Sequence, residues 1–207
     1  LNFLFTNKQI CLTWLSFTNS TLTKDMGGDI NIALAYGALG ASSGWALMNC
    51  TDLKYARVAF GLYLANGIVG VVDYILPRSN SNVRRILDAL GRWSRPLYTP
   101  LIAAEAILYA GFEEKYSYFH LVFPVGYLVL TELLKKNIKS DMLDLSTILN
   151  SVSICYSAFL KEDAFGALCA VLNLTAFMGT SYNSMEYFVL IAAANLAAVQ
   201  FFKQLLF

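Results

Sequence analysis

The sequence predicts an all-α, polytopic transmembrane helical bundle of about seven spans, with one amphipathic interfacial helix on the cytoplasmic side. Two properties of its composition lead to this fold class. Hydrophobic residues make up 57% of the 207 residues and charged residues only 14%, whereas soluble domains average about 45–50% and about 25%. The charges also come in short bursts between long apolar runs, a pattern that is typical of membrane-spanning helices.

The apolar runs give the positions of the spans, each of which requires about 20 mostly apolar residues. We expect spans at 29–49, 55–76, 97–112, 116–134, 143–160, 164–180 and 185–204. The third run is short and gains length from the segment before it, where Pro96 and Pro100 fall near the first helical turn, in which proline is tolerated. The connections are too short for a soluble domain, so 29–207 forms a single bundle. Residues 1–28 form a separate N-terminal segment, either an interfacial helix or a stretch before an alternative start at Met26.

The connection between the second and third spans predicts the amphipathic helix. In "SNVRRILDALGRW" the apolar residues recur at helical spacing and the arginines fall on the other face. A basic face with a tryptophan at its end is typical of a helix that lies in the lipid headgroup layer. The residues expected to contact headgroups are Arg84, Arg85, Arg92 and Trp93. The alternative is that this helix packs on the bundle and is basic only because it is cytoplasmic.

The placement of Lys and Arg predicts the orientation in the membrane. The N-terminal segment contains two of these residues, the second connection five and the fourth connection three, which makes ten of the 15 in the chain. Cytoplasmic loops carry the excess of positive residues. We therefore expect the N-terminus in the cytoplasm and the lipid bilayer as the main partner.

Five spans carry a polar residue well inside an apolar run. These polar layer residues are Asn66, Glu105, Asn150, Asn173 and Asn195. They lie at similar depth, about 12 Å for Glu105 at about 1.5 Å per residue, so we expect one layer in which they face each other or a wet cavity. Because no cation lies at its depth, we expect Glu105 to be protonated much of the time and to donate a hydrogen bond. The alternative for the asparagines is structural hydrogen bonding between helices.

The first span carries glycines near one face, at Gly37, Gly40 and Gly44. Small residues let helices approach closely in membranes. The face predicts close packing, either within the bundle against Gly61, Gly67 and Gly70 of the second span or with another membrane protein.

No motif in the chain identifies a catalytic, metal or nucleic-acid site. HExxH, GxSxG, P-loop and GxGxxG patterns are absent. The four cysteines form no CxxC pair, and the net charge of +1 comes with no basic strip of the kind that binds nucleic acid. We therefore expect no cofactor, no metal and no nucleic-acid partner.

Three classes of function remain open at this point. The first expectation is a non-enzymatic assembly, scaffold or accessory bundle, which the glycine face and the short connections favour. The second is a small-solute or proton-coupled transporter that uses the polar layer around Glu105. The third is an intramembrane lipid-modifying enzyme with Glu105 or His120 as acid or base, fed by lipid near the basic helix.

Labelling of introduced cysteines with an impermeant maleimide in sealed cells tests the orientation. Thiols placed in 113–115 and 161–163 should react from outside, whereas thiols in 78–82 and 135–139 should be protected until the membrane is opened. The reverse pattern would show that the N-terminus faces outward.

Overall fold

The computed structural model describes residues 27–75, 81–135, 141–182 and 184–203, and within these ranges the chain forms seven α-helices and no strand. The helices are α1 (Gly27–Asn49), α2 (Tyr55–Ile75), α3 (Ser81–Tyr109), α4 (Glu114–Leu128), α5 (Asp141–Leu160), α6 (Ala164–Gly179) and α7 (Met185–Lys203). A π-helical turn, Val129–Leu133, continues α4. The all-α class is confirmed, while the expectation for the N-terminal segment falls largely on residues 1–26, outside the described ranges.

Three helices, α2, α5 and α7, are long and apolar enough to cross a membrane, fewer than the seven spans that the sequence predicts. The difference has a physical cause in each remaining helix. α6 is apolar but has 16 residues, and the α-helical part of α4 has 15, where a span needs about 20. α1 contains five glycines in its 23 residues, which lowers its hydropathy. α3 has its arginines in its first half.

The predicted third span and the predicted interfacial helix are one helix. α3 runs for 29 residues with Pro96 and Pro100 inside it, so the expectation of a separate interfacial helix is wrong. Proline removes one hydrogen bond of the helix ladder and disfavours the helical conformation before it. Both prolines are buried, and α3 packs against α2, α4 and α5. Packing with three neighbours therefore outweighs the local preference for a break.

Contacts between helices close a ring. α7 packs against α1 and α6, while α1 packs against α2 and α5 against α6.

Ion pairs lie at the two ends of the bundle. Lys54 and Glu114 pair at one end, and Arg84 and Arg92 pair with acidic side chains at the other. We call the second the arginine end.

The core of the bundle is aromatic and its outer surface is apolar. Tyr63 and Tyr187 are fully buried, with 2.7 Å between their hydroxyl oxygens. On the outside, Phe159 is 78% exposed and Phe119 is 74% exposed, and every helix has at least one exposed large hydrophobic side chain. Soluble monomers rarely expose large apolar patches. The surface is compatible with a lipid surrounding.

α1 and α2 approach each other closely where Gly40 faces Gly67. A Cβ atom built on Gly67 would lie 2.6 Å from the Cα atom of Gly40, which leaves no room for a side chain. The nearest groups to Gly37, Gly40 and Gly44 all belong to α2. The glycine face of α1 is thus used inside the bundle, and it is not available as a surface for another membrane protein.

Substitution of Gly67 by Ala should therefore lower the free energy of unfolding by about 1–3 kcal/mol, because backbone atoms of α1 would have to move. Gly61 on the same helix is the matched control, since a Cβ atom there meets nothing within 4 Å. Gly61→Ala should be neutral or stabilising by up to about 1 kcal/mol, from helix propensity alone. Thermal unfolding in mild detergent measures both, and equal melting of the two variants would contradict the close approach.

Candidate functional site

Glu105 caps the first turn of α2. Its Oε2 atom accepts hydrogen bonds from the backbone N–H groups of Tyr55, at 2.5 Å, and Ala56, at 3.0 Å. α2 begins with these two residues, and the first N–H groups of a helix have no hydrogen-bond partner within that helix. The residue before them, Lys54, has no oxygen in its side chain with which to cap them. α3 therefore supplies the cap that the sequence of α2 lacks.

The structure places Glu105 about one turn from the end of α3, towards the end of the bundle opposite to the arginines. Its Oε2 atom accepts two backbone hydrogen bonds, while the donated hydrogen bond expected from the sequence stays a prediction. The partial positive charge at a helix N-terminus also stabilises a nearby negative charge. Capping thus gives this side chain a structural role.

The other polar layer residues form separate contacts. Asn66 donates to Ser94 Oγ at 3.3 Å, and Asn173 donates to the carbonyl of Cys169, on its own helix, at 3.0 Å. In the part of the chain that the structure describes, no hydrogen bond joins any two of the five polar layer residues. The five residues therefore do not form one hydrogen-bonded network in the described chain, and their common depth in the membrane stays a prediction.

Asn195 connects three helices through one buried cluster. Its Oδ1 atom accepts a hydrogen bond from the Tyr98 hydroxyl at 2.6 Å. Its Nδ2 atom donates to Ser43 Oγ at 2.9 Å and to Ser42 Oγ at 3.3 Å. Such interhelical hydrogen bonds are worth about 0.6 kcal/mol on average in membrane bundles. The contacts favour the structural interpretation of this asparagine.

Asn150 holds the one histidine of the chain in a defined orientation. His120 Nδ1 lies 2.7 Å from Asn150 Oδ1. The amide of Asn150 is fixed in turn, because its Nδ2 atom donates to the carbonyl of Ser146 at 2.7 Å. An amide oxygen only accepts, so Nδ1 of the histidine carries the proton and Nε2 is left as an acceptor.

A cavity of about 400 Å³ opens at the arginine end. Helices α1, α3, α4 and α5, the π-helical turn and the segment before α7 line it, and α3 contributes most of the wall. The polar lining consists of three arginines, Arg84, Arg92 and Arg95, two carboxylates, Asp88 and Glu132, and hydroxyl groups that include those of Tyr36 and Tyr182. We call this space the basic cavity. Its volume lies within the range of ligand sites, about 300–1,000 Å³.

The basic face of the predicted interfacial helix lines this cavity. Arg84, Arg92 and Arg95 follow one another at intervals of eight and three residues, which places them on one side of α3. The structure separates the other two predicted headgroup contacts from this wall. Arg85 and Trp93 are both exposed and are not part of the lining. Arg84, Arg92 and Arg95 thus border the cavity, where Arg84 and Arg92 are also exposed, while Arg85 lies outside its lining.

Carboxylates hold two of the three arginines. Arg84 Nη1 lies 2.9 Å from Asp73 Oδ2, and Arg92 Nε lies 3.0 Å from Glu132 Oε1. Hydrogen bonds with Asp73 and Tyr74 raise the pKa of Arg84 above its ordinary value, so its positive charge is secure. Glu132 lies in the π-helical turn, an irregularity that is frequent at functional sites.

Arg95 has no carboxylate within ion-pair distance among the described residues. Its guanidinium lies 5.4 Å from the centroid of the Tyr182 ring, in a cation–π contact. Asp144 borders a small recess beside Arg95 without forming an ion pair. Burial raises the pKa of Tyr182, which therefore stays a neutral hydroxyl. The planar guanidinium suits a carboxylate or phosphate, so the basic cavity can bind an oxyanion.

Sequence reasoning missed several residues that form this site. Tyr36, Glu132 and Tyr182 come from different segments of the chain, and nothing in their local sequence indicates that they meet. Arg95 did carry a signal, because it continues the face of Arg92 by one turn. The capping role of Glu105 had no such signal, because Asp52, a residue type that often caps helices, precedes Tyr55 by three residues.

The cap makes a testable prediction about Glu105. Glu105→Leu leaves two N–H groups without a partner and should lower the free energy of unfolding by about 2 kcal/mol or more. Glu105→Gln keeps an acceptor oxygen and should lose about half as much. Thermal unfolding in mild detergent measures both, with Glu113→Gln as a control at an exposed glutamate. Wild-type melting of the Leu variant would contradict the cap.

Neither metal chemistry nor similarity to other proteins adds to this description. No group of three His, Cys, Asp or Glu side chains within the described ranges could hold a metal ion. Comparison of the chain with models of protein families, with curated proteins and with solved structures finds no match. The geometry of the basic cavity and its surroundings is therefore the main indication of function.

Proposed function

We propose that this chain is an integral membrane protein that binds an anionic lipid, with the lipid headgroup in the basic cavity. One observation carries the proposal: Arg95, a half-buried arginine without a carboxylate partner in the described chain, lines a cavity of about 400 Å³. A desolvated guanidinium is stabilised by an anion. Phosphate is the anion that a membrane supplies at the level of its headgroups.

The distribution of charge and hydropathy supports a lipid as the source of that anion. Three helices have the length and composition of membrane spans, and large apolar side chains cover the outer surface. In the proposed topology the arginine end faces the cytoplasm, because ten of the 15 Lys and Arg residues lie on that side. Anionic lipids are concentrated in the cytoplasmic leaflet, and basic pockets between helices bind their headgroups.

The same geometry ranks the other classes of function lower. The glycine face of α1 favoured an assembly bundle, but α2 covers this face. A proton-coupled transporter gained its support from Glu105, which caps α2. The carboxylates that line the basic cavity, Asp88 and Glu132, are both paired with arginines, which leaves neither of them free as an acid, base or nucleophile. Binding without chemistry is therefore the function that the cavity supports best.

Arg95→Gln should weaken the preference for anionic lipid. Each arginine near a lipid surface contributes about 1 kcal/mol, so the loss should be about fivefold. The measurement is native mass spectrometry of the full chain in mild detergent with equal amounts of phosphatidylglycerol and phosphatidylcholine, reading the ratio of the two bound species.

Arg57→Gln is the matched control, because Arg57 is exposed on α2 and lies far along the helix from the arginine end. It should leave the ratio unchanged. Equal binding of both lipids by the wild type, or an equal effect of the two substitutions, would overturn the proposed function.

A further inference from the structure

Two further cavities lie between α4 and α5. The first, of about 170 Å³, is lined by Val122, Phe123, Gly126, Tyr127, Leu130 and Met142. The second, of about 220 Å³, is lined by Phe119, His120, Phe123, Ser146, Leu149 and Asn150. α4 packs mainly against α3, α5 packs against α3 and α6, and α4 and α5 make few contacts with each other. The space between them is therefore a cleft on the side of the bundle.

This cleft continues from the basic cavity. Tyr127 lines both the basic cavity and the first cleft cavity. Phe123, one turn away, lines both the first and the second cleft cavity. His120 lies seven residues from Tyr127, which is about 10 Å along an α-helix. The three spaces thus form one path from the arginines towards the His120–Asn150 pair.

The chemistry of the path changes along its length. The basic cavity is lined by three arginines, two carboxylates and several hydroxyl groups, whereas the first cleft cavity is walled mainly by aliphatic and aromatic groups. Val122 is 67% exposed and Phe123 42% exposed, so the cleft is open towards the surroundings of the bundle. The polar atoms of the His120–Asn150 pair lie where the apolar section ends.

Gly126 leaves the middle of the cleft open. A Cβ atom built on it would meet no atom of the described chain within 4 Å, other than its own neighbours in the helix. A larger side chain at this position would therefore extend into the cleft without displacing the protein. Gly61 on α2 has the same freedom but lines none of these cavities.

We propose that the cleft between α4 and α5 holds an acyl chain of the anionic lipid whose headgroup occupies the basic cavity. The proposal rests on the proposed function and adds the class of ligand: a phosphate-bearing lipid with at least one long acyl chain. The continuity of the path and the change from cationic to apolar lining match such an amphiphile. A water-soluble phosphate would use only the basic cavity.

Gly126→Leu tests the cleft with two probes, dipalmitoyl and dihexanoyl phosphatidic acid, titrated into the full chain in mild detergent. Native mass spectrometry reads the bound fraction. The Leu side chain should displace part of the long chain and weaken dipalmitoyl binding by about tenfold. Dihexanoyl binding should change by less than about twofold, because the headgroup site is untouched. Gly61→Leu should leave both probes at the wild-type affinity.

Phe123→Ala is a second variant, which still tests the cleft if Gly126→Leu fails to fold. It removes the wall shared by the two cleft cavities and should also weaken dipalmitoyl binding selectively. Arg95→Gln should weaken both probes, which separates the headgroup from the chain. If the wild type binds both probes and neither cleft variant affects the long one, the acyl-chain proposal is wrong and the headgroup proposal stands. If the wild type binds neither probe, the proposed function itself is wrong.

Discussion

The first backbone N–H groups of a helix need hydrogen-bond partners outside that helix, and this constraint sets the relation between α2 and α3. An unpaired backbone N–H in an apolar surrounding costs several kcal/mol in lipid. The first N–H groups of α2 meet that requirement through Glu105, so the start of α2 is tied to the last turns of α3. Because α3 is continuous, fixing its far half also directs its first half, with the arginines, to the other end.

Small residues then determine how closely the remaining parts can meet. Gly40 and Gly67 let α1 and α2 touch through their backbones. Gly91 does the same for the wall of the basic cavity, because a Cβ atom there would lie 1.8 Å from the Tyr182 hydroxyl oxygen. The position of Tyr182 beneath the guanidinium of Arg95 thus depends on the absence of a side chain one turn earlier in α3.

Helices that begin and end at short polar turns could be predicted from the sequence. Contacts between residues that are far apart in the chain could not. The expected spans 55–76 and 185–204 agree with α2 and α7 within one residue at each end, because short polar turns delimit their apolar runs. The sequence predicts a separate amphipathic helix before the third span, whereas packing keeps α3 continuous through Pro96 and Pro100. The polar layer residues were predicted to lie together because they have similar depths in their spans. Depth does not determine the direction in which a side chain points. Their hydrogen-bond partners lie on other helices, as for Asn195, or on the same helix, as for Asn173.

A stable fold and the proposed anion-binding site require different arrangements of charge at the arginine end. Stability alone would favour a carboxylate beside each guanidinium, most of all beside a half-buried one, since an unpaired charge removed from water is costly. The exposed Arg84 and Arg92 have carboxylate partners, whereas the half-buried Arg95 has none in the described chain although Asp144 borders the recess beside it. Open volume is found here and in the α4–α5 cleft. An anion bound beside Arg95 would complete the ion pair that the chain itself leaves unmade, so the site gains affinity from a charge that the fold does not neutralise.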